Sequence, residues 1–191
     1  MKSAVAVLGI IASLSALPAA AQSRAQSFYG GVTIGQSTFK ESCTGFAPGV
    51  SCDENDTALR ILGGYQFTPN FSAELGYHDF GQTEASAGGA RATIKAHAWE
   101  LVGVGLLPVA PQLGLYGKVG AYAGEAKLDS NFGASATDSN TGLTFGGGLQ
   151  WDVQRPIGLR VEWQRYRDLG GNNAGHGDID VLSIGGIWRF Q

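Results

Sequence analysis

The chain has 191 residues, a formal net charge of −3, 30 glycines and only 15% charged residues. The glycine share is about twice the usual value for globular domains, and the charged share is well below it. The acidic balance argues against a cationic nucleic-acid-binding protein. No stretch approaches the roughly 18 uninterrupted apolar residues that a transmembrane helix needs, which argues against a helical membrane protein.

The first residues have the organisation of a secretory signal peptide. Lys2 supplies a positive charge, residues 4–17 are almost all small or apolar, and residues 19–21 offer an Ala-x-Ala cleavage site. We therefore expect residues 1–21 to be removed on export and residues 22–191 to form one domain.

The two cysteines, Cys43 and Cys52, lie in a stretch of Ser, Thr, Gly, Pro and Asp that is typical of a loop. In an exported protein they predict a disulfide that closes this loop. A zinc pair is the alternative, but no His or Cys lies nearby to complete four ligands.

Runs with a two-residue period of apolar side chains recur along the whole chain and predict eight strands. The predicted strands cover residues 28–39, 57–67, 71–79, 93–107, 113–127, 142–152, 157–168 and 178–190.

The connections between these strands alternate in length. Residues 68–70, 108–112 and 154–156 form short turns that contain proline, whereas residues 40–56, 80–92, 128–141 and 169–177 form longer polar segments. Short periplasmic turns and long outer loops are typical of a transmembrane β-barrel, whose strands need about 9–11 residues to cross. The sequence therefore predicts an all-β protein: an eight-stranded, antiparallel, up-and-down transmembrane barrel.

The run at 157–168 predicts which face looks outward. Leu159, Val161 and Trp163 alternate there with polar side chains, Arg160, Glu162 and Gln164. A soluble barrel would turn the apolar set inward. An arginine facing lipid costs about 2–4 kcal/mol at the midplane, so we expect the charged set to face the interior.

The same alternation predicts a balanced set of interior charges. Three cations would face three carboxylates: Arg60, Lys118 and Arg160 against Glu74, Glu100 and Glu162, with Gln150 beside them. A narrow interior needs such a balance because an unpaired buried charge is costly. Glu100 is followed at the same parity by Val102, Val104 and Leu106, so we expect a β-bulge that turns these apolar side chains away.

Aromatic residues fall where the membrane boundaries should lie. Next to the short turns are Phe28, Tyr65, Phe71, Trp151, Trp188 and Phe190, and nearer the long loops are Tyr77, Phe80, Trp99 and Phe145. A water-soluble sandwich with these aromatics in its core is the alternative, but it does not explain paired charges on the opposite face.

Several stretches resemble a known family. LGGYQFTP at residues 62–69 and AELGY at 73–77 resemble the second and third strands and first turn of the transmembrane domain of outer membrane protein A. PIGLRVEWQ at 156–164 resembles its seventh strand and WRFQ at 188–191 its eighth. Smaller barrels of the OmpX/Ail and opacity-protein type share the general pattern.

The resemblance implies a Glu–Arg ion pair that blocks or gates the interior, and the matching residues are Glu74 and Arg160. Where the family has a second interior carboxylate this chain has Gln150, and where it has a lysine this chain has Val104. We therefore expect a static plug, helped by Lys118 and Glu162, rather than a switch.

No catalytic, metal or cofactor site is expected. Related barrels that deacylate lipid A use a His and a Ser two residues apart, and His78, His97 and His176 have no Ser at that offset. Acidic stretches at 53–56 and 178–180 read as solvated loops rather than as cation sites.

The expected function is structural or surface-interactive, in the outer membrane of a Gram-negative bacterium. A small-pore channel, a lipid A enzyme and a secreted soluble barrel are the alternatives. The expected partners are outer-membrane lipid and lipopolysaccharide, the latter through Lys95, Arg165 and Arg167, together with host surface molecules. The closing strand 182–191 resembles the signal that the barrel-assembly machinery reads, although Gln191 follows the last aromatic. We expect a monomer.

Overall fold

The computed structural model describes residues 27–40, 51–53, 55–87, 90–130, 135–171 and 175–190. This part of the chain is built of nine strands: β1 Ser27–Phe39, β2 Ser51–Asp53, β3 Asn55–Gln66, β4 Phe71–Ala87, β5 Ala90–Ala110, β6 Leu113–Ser130, β7 Ser135–Gln154, β8 Ile157–Gly171 and β9 Gly175–Arg189. Within these ranges, no helix is long and apolar enough to cross a membrane.

The strands close into an antiparallel barrel of eight. Pairing runs β1–β3–β4–β5–β6–β7–β8–β9, and β9 pairs again with β1, where Thr33 lies opposite Gly185. The short β2 pairs with the loop end of β4, beyond the start of β3. Because a closed sheet has no free edge, the backbone polar groups of the wall can be satisfied inside a membrane. The predicted fold class is confirmed.

The wall is apolar outside and polar inside. Val32, Ile61, Leu75, Leu101 and Val119 each expose about half or more of their surface on the outer face. The inward face buries the charged set together with glutamines, threonines and tyrosines. This is the pattern of a transmembrane barrel, because lipid replaces water on the outside.

Three of the four long connections, those at 80–92, 128–141 and 169–177, are much shorter than the sequence predicted. Residues 80–87, 90–92, 128–130, 135–141 and 169–171 all continue the strands. The alternation of apolar and polar side chains is weak in these segments. Antiparallel hydrogen bonding, however, needs only the backbone, so a hairpin extends past the apolar band.

The bulge predicted after Glu100 is wrong. β5 keeps one continuous register with β6 from Ala92 to Pro108. Val102 and Val104 therefore face inward and are buried against Tyr116. An apolar layer is stable there because side chains that carry no charge need no partner in a narrow interior.

The sequence groups Phe80 with the aromatic residues at the loop-end membrane boundary, but its side chain is fully buried in the interior. Two bulges shape the loop side of the barrel. In β4, Phe80 and Gly81 together oppose one residue of β5, and Gly81 has a φ of 75°. In β8, Arg167 and Asp168 together oppose one residue of β9, and Asp168 has a φ of 55°.

Two predictions, the signal peptide and the disulfide, depend on residues or side chains outside the described part of the chain. The signal peptide at residues 1–21 and Cys43 lie outside it. Cys52 belongs to β2, but its side chain is not among those described. The disulfide therefore stays a prediction.

Candidate functional site

The centre of the barrel interior holds the charged side chains that alternation places there. Strands β3 to β6 and β8 contribute them, and each is buried: Arg60, Glu74, Glu100, Lys118, Arg160 and Glu162. Successive side chains of a strand point to opposite faces of the sheet. These residues point inward because they alternate with the Leu, Ile, Val and Trp residues that face lipid.

Glu74 and Arg160 are in direct contact across the barrel. The carboxylate of Glu74 accepts a hydrogen bond from Arg160 Nη1 at 2.5 Å and another from Arg60 Nη2 at 3.0 Å. The hydroxyl of Tyr29 donates to the same carboxylate at 2.8 Å. β4 and β8 are four strands apart in a ring of eight, so this pair bridges the full width of the interior.

The carboxylate of Glu162 is held by two side chains of β6. Lys118 Nζ lies 2.5 Å from Glu162 Oε1, and the Tyr116 hydroxyl donates to Oε2 at 2.7 Å. The third carboxylate, Glu100, accepts hydrogen bonds from Tyr166 and, at 2.6 Å, from Gln164.

Arg60 connects the three carboxylates. It forms ion pairs with Glu74 at 3.0 Å, with Glu162 at 3.6 Å, and with Glu100. The resulting ion network, formed by the three cations and three carboxylates, sums to zero charge. This removes the cost of an isolated charge in a medium of low dielectric constant.

Gln150 also joins this network, as an uncharged member. Its side-chain oxygen accepts a hydrogen bond from Arg160 Nε at 3.0 Å, and its nitrogen donates to Asp152 at 3.1 Å. The guanidinium of Arg160 also lies over the rings of Tyr29 and Tyr116, at 5.5 and 5.0 Å from their centroids. Arg160 is thus held by a carboxylate, an amide and two aromatic faces.

Two inward glycines make room for the network. A Cβ atom at Gly64 would lie 2.2 Å from the ring of Tyr29. At Gly76 it would lie 3.0 Å from Glu100 Oε1 and 3.1 Å from Arg60 Nε. Sequence reasoning could say only that glycines leave space, not which side chains fill it.

The loop side of the interior holds a buried aromatic group that sequence reasoning missed. The loop-side aromatic cluster consists of His78, Phe80, Tyr122 and Tyr166, all buried. Ring centroids are 4.9 Å apart for His78 and Phe80, 4.7 Å for Phe80 and Tyr166, and 5.4 Å for Tyr122 and Tyr166. His78 and Phe80 lie two residues apart on one strand, so alternation places both on the same face as the inward Glu74. This spacing could have revealed the cluster.

The turn side of the interior is partly polar. A cavity of about 20 Å³ lies beneath Arg160 and has Gln66, Ser72 and Gln150 among its lining residues. It has room for about one water molecule. At the rim, Arg189 pairs with Asp152 at 2.6 Å.

The aromatic residues predicted at the turn end all face outward, and Tyr65 is half-buried there. Phe28, Phe71, Trp151, Trp188 and Phe190 are exposed on the lipid side. The ring of Tyr65 packs between those of Phe28 and Phe67, at 4.8 and 5.1 Å.

The basic residues considered for lipopolysaccharide differ from one another in their surroundings. Arg165 is already paired, since its Nε and Nη2 atoms donate to Asp180 at 2.6 and 2.7 Å. Lys40 also contacts Asp180, at 3.1 Å. Lys95 and Arg167 are exposed.

The histidines do not form a catalytic arrangement among the described side chains. His78 is buried in the aromatic cluster, and His97 lies on the outer face beside Tyr77, with ring centroids 6.0 Å apart. The side chain of His176 lies outside the described part. Among the described residues, no group of three or more His, Cys, Asp and Glu side chains could hold a metal ion.

A family model described as OmpA-like transmembrane domain matches residues 23–191 of the chain. Outer membrane protein A of Shigella flexneri is 28% identical over 196 residues, covering 99% of this chain and 56% of that protein. Outer membrane protein A of Salmonella typhi is also 28% identical, with 99% and 55% covered. The chain spans about half the length of the curated relatives it matches.

Solved structures share the fold at low identity. Ail of Yersinia pestis, in complex with the heparin analogue sucrose octasulfate, is 20% identical with a TM-score of 0.58, covering 86% of this chain and 99% of that one. Neisserial surface protein A is 15% identical with a TM-score of 0.62, covering 85% and 97%. The family match over nearly the whole described chain, together with the closed eight-stranded wall, places this protein in the outer membrane, and the chain belongs to the OmpA-like transmembrane domain family.

Proposed function

We propose that the protein is a closed structural barrel of the outer membrane that does not conduct ions and that presents its loop-side hairpins at the cell surface. The observation that carries the proposal is the contact between Glu74 on β4 and Arg160 on β8, which bridges the interior between opposite strands. An ion crossing the barrel would have to displace these groups.

The ion network supports a static plug rather than a switch. Arg160 could leave Glu74 only for another carboxylate, and its other polar side-chain acceptor here is the neutral amide of Gln150. If Arg160 exchanged this carboxylate for the amide, the negative charge of Glu74 would be less well neutralised in the buried interior, which is costly. The closed arrangement is therefore the stable one.

Planar-bilayer recording of the purified, folded barrel tests this proposal. We expect no steady current at either polarity, with a porin sample as the positive control. Folding is checked on the same sample by the shift in gel mobility after heating. A reproducible single-channel conductance from wild-type barrel would contradict a closed lumen and favour the small-pore alternative.

The surface role is supported by strands that project from the membrane. From the lipid-facing Tyr77, β4 continues for ten residues to Ala87, and β5 returns from Ala90. At about 3.3 Å per residue, ten residues extend roughly 30 Å along the strand. Such a hairpin would carry its tip well beyond the lipid headgroups.

Shortening this hairpin tests the surface role. Replacing residues 85–92 with Asn-Gly, a two-residue hairpin turn, keeps the pairing of Glu84 with Thr93. We expect weaker binding of cells carrying the shortened barrel to host cells, serum components or heparin, with unchanged heat-dependent mobility. Equal binding by wild-type and shortened barrels would contradict the role for this hairpin.

The last strand is proposed to be the segment that the barrel-assembly machinery reads. Leu182, Ile184, Trp188 and Phe190 form its exposed apolar face, which supports this role. Removing Phe190 and Gln191 should lower the amount of heat-modifiable barrel in the outer membrane. We propose that the folded protein acts as a monomer, which sedimentation in detergent would test.

A further inference from the structure

Two aromatic side chains meet across the full width of the interior on its loop side. Phe80 comes from β4 and Tyr166 from β8, which lie opposite each other in the ring of eight strands. Their ring centroids are 4.7 Å apart in an edge-to-face arrangement, and both side chains are 0% exposed. At this level, therefore, side chains and not solvent connect the two walls.

Each of the two aromatic residues stands at a β-bulge. Phe80 is the first residue of the β4 bulge, and Tyr166 immediately precedes the β8 bulge. Bulges bend a strand and re-aim its side chains, and they are features of a fold rather than defects. Two bulges on opposite strands direct two rings toward the same point.

Hydrogen bonds from β1 and β6, each the second strand along the sheet, and one within β4 hold the two bulges. The Ser37 hydroxyl on β1 donates to the carbonyl oxygen of Phe80 at 2.6 Å, and Gly81 N donates to Asp79 Oδ1 at 2.9 Å. On the other side, the Tyr122 hydroxyl on β6 donates to the carbonyl oxygen of Arg167. The backbone that carries the two rings is thus held by donors on β1, β4 and β6.

The surroundings of the ion network differ on its two sides. Toward the loops, the aromatic cluster packs among small and apolar residues that include Ala58, Ala98 and Val181. Toward the turns, Arg160 borders the cavity that has Gln66, Ser72 and Gln150 among its lining residues. Among the described residues, the cavity that borders the network therefore lies on its turn side, whereas its loop side is covered by packed aromatic and apolar side chains.

We propose that the loop-side aromatic cluster, and not the ion network, is the barrier that keeps surface solutes out of the interior, so that the network is open to the periplasm alone. The inference rests on the proposed closed barrel and locates its outer seal. The seal is a packed aromatic contact, which breaks when one ring is removed.

A buried thiol reports on this barrier. Ala98→Cys places a thiol on the inward face at a fully buried position, opposite His78 and on the loop side of the network. The purified, folded barrel, with its two native cysteines replaced by serine, is treated with iodoacetamide in detergent at mildly alkaline pH. Modification is followed by mass spectrometry, and the unfolded protein serves as the fully reactive control.

We expect the A98C thiol to be protected in the folded barrel and to lose protection when Phe80→Ala is added. Tyr166→Ala removes the other half of the contact and should give the same loss, which keeps the test valid if one variant does not fold. Trp99→Ala is the matched control, because it deletes a large aromatic ring from the lipid side at a neighbouring position. It should leave the thiol protected.

Glu74→Gln distinguishes the seal from the plug. We expect A98C to stay protected in this variant, and modification there but not in F80A would overturn the proposal. Rapid modification of A98C in an otherwise wild-type barrel, or protection retained in both F80A and Y166A, would overturn it as well. A conducting wild-type barrel would instead contradict the proposed function.

Discussion

Because Arg60 pairs with three carboxylates, we expect its replacement to lower the stability of the barrel. In Arg60→Met, Glu74 keeps Arg160 and Glu162 keeps Lys118, but Glu100 loses its cation. The interior charge then changes from zero to −1. The buried carboxylate of Glu100 would retain only the neutral donors Tyr166 and Gln164.

The size of the effect follows from this isolated charge. Breaking a buried ion pair by removing one partner costs about 3–5 kcal/mol of unfolding free energy. Adding Glu100→Gln restores neutrality, and the amide oxygen can still accept from Tyr166 and Gln164. We therefore expect the double variant to be more stable than Arg60→Met, with a coupling energy of about 2–3 kcal/mol.

Urea unfolding of the barrel in lipid vesicles, followed by tryptophan fluorescence and by gel mobility, measures these differences. Arg165→Met is the matched control. Its side chain pairs with Asp180 on the outer surface and is 27% exposed, so its removal should cost only about 0–1 kcal/mol. If Arg60→Met unfolds like wild type, or if Glu100→Gln brings no recovery, Arg60 does not compensate Glu100.

Two further predictions concern single positions. Gly64→Ala would push a methyl group into the ring of Tyr29, 2.2 Å away, and should destabilise the barrel by about 1–3 kcal/mol, whereas Gly63→Ala, with nothing within 4 Å, should have little effect. Urea unfolding checks both, and equal effects would contradict the steric reason. The intact mass of the exported protein should be two hydrogens lower than that of its reduced form if Cys43 and Cys52 are bonded, and identical masses would rule the disulfide out.

The side on which each charged residue lies could be predicted from the sequence, but the partners could not. Alternation placed Arg60, Glu74 and Arg160 inward because a strand has a period of two and only one face meets lipid. Which carboxylate each arginine meets depends on the stagger of the strands around the barrel. The contact of Arg60 with three carboxylates therefore emerged only from the closed structure.

The bulges explain why two predicted strands ended too early. In β4, Asp79 pairs with His97 on the outer face, but beyond the bulge it is the even-numbered Gln82 that pairs outward, with Lys95. In β8, Tyr166 and Leu169 are both buried although their numbers differ in parity. The extra residue of a bulge shifts the period by one, so an alternating pattern appears to stop where the strand in fact continues. The predicted ends at residues 79 and 168 lie at these bulges. A break in alternation followed by Gly or Asp can therefore mark a bulge inside a barrel strand, and here the two breaks bring the aromatic seal together.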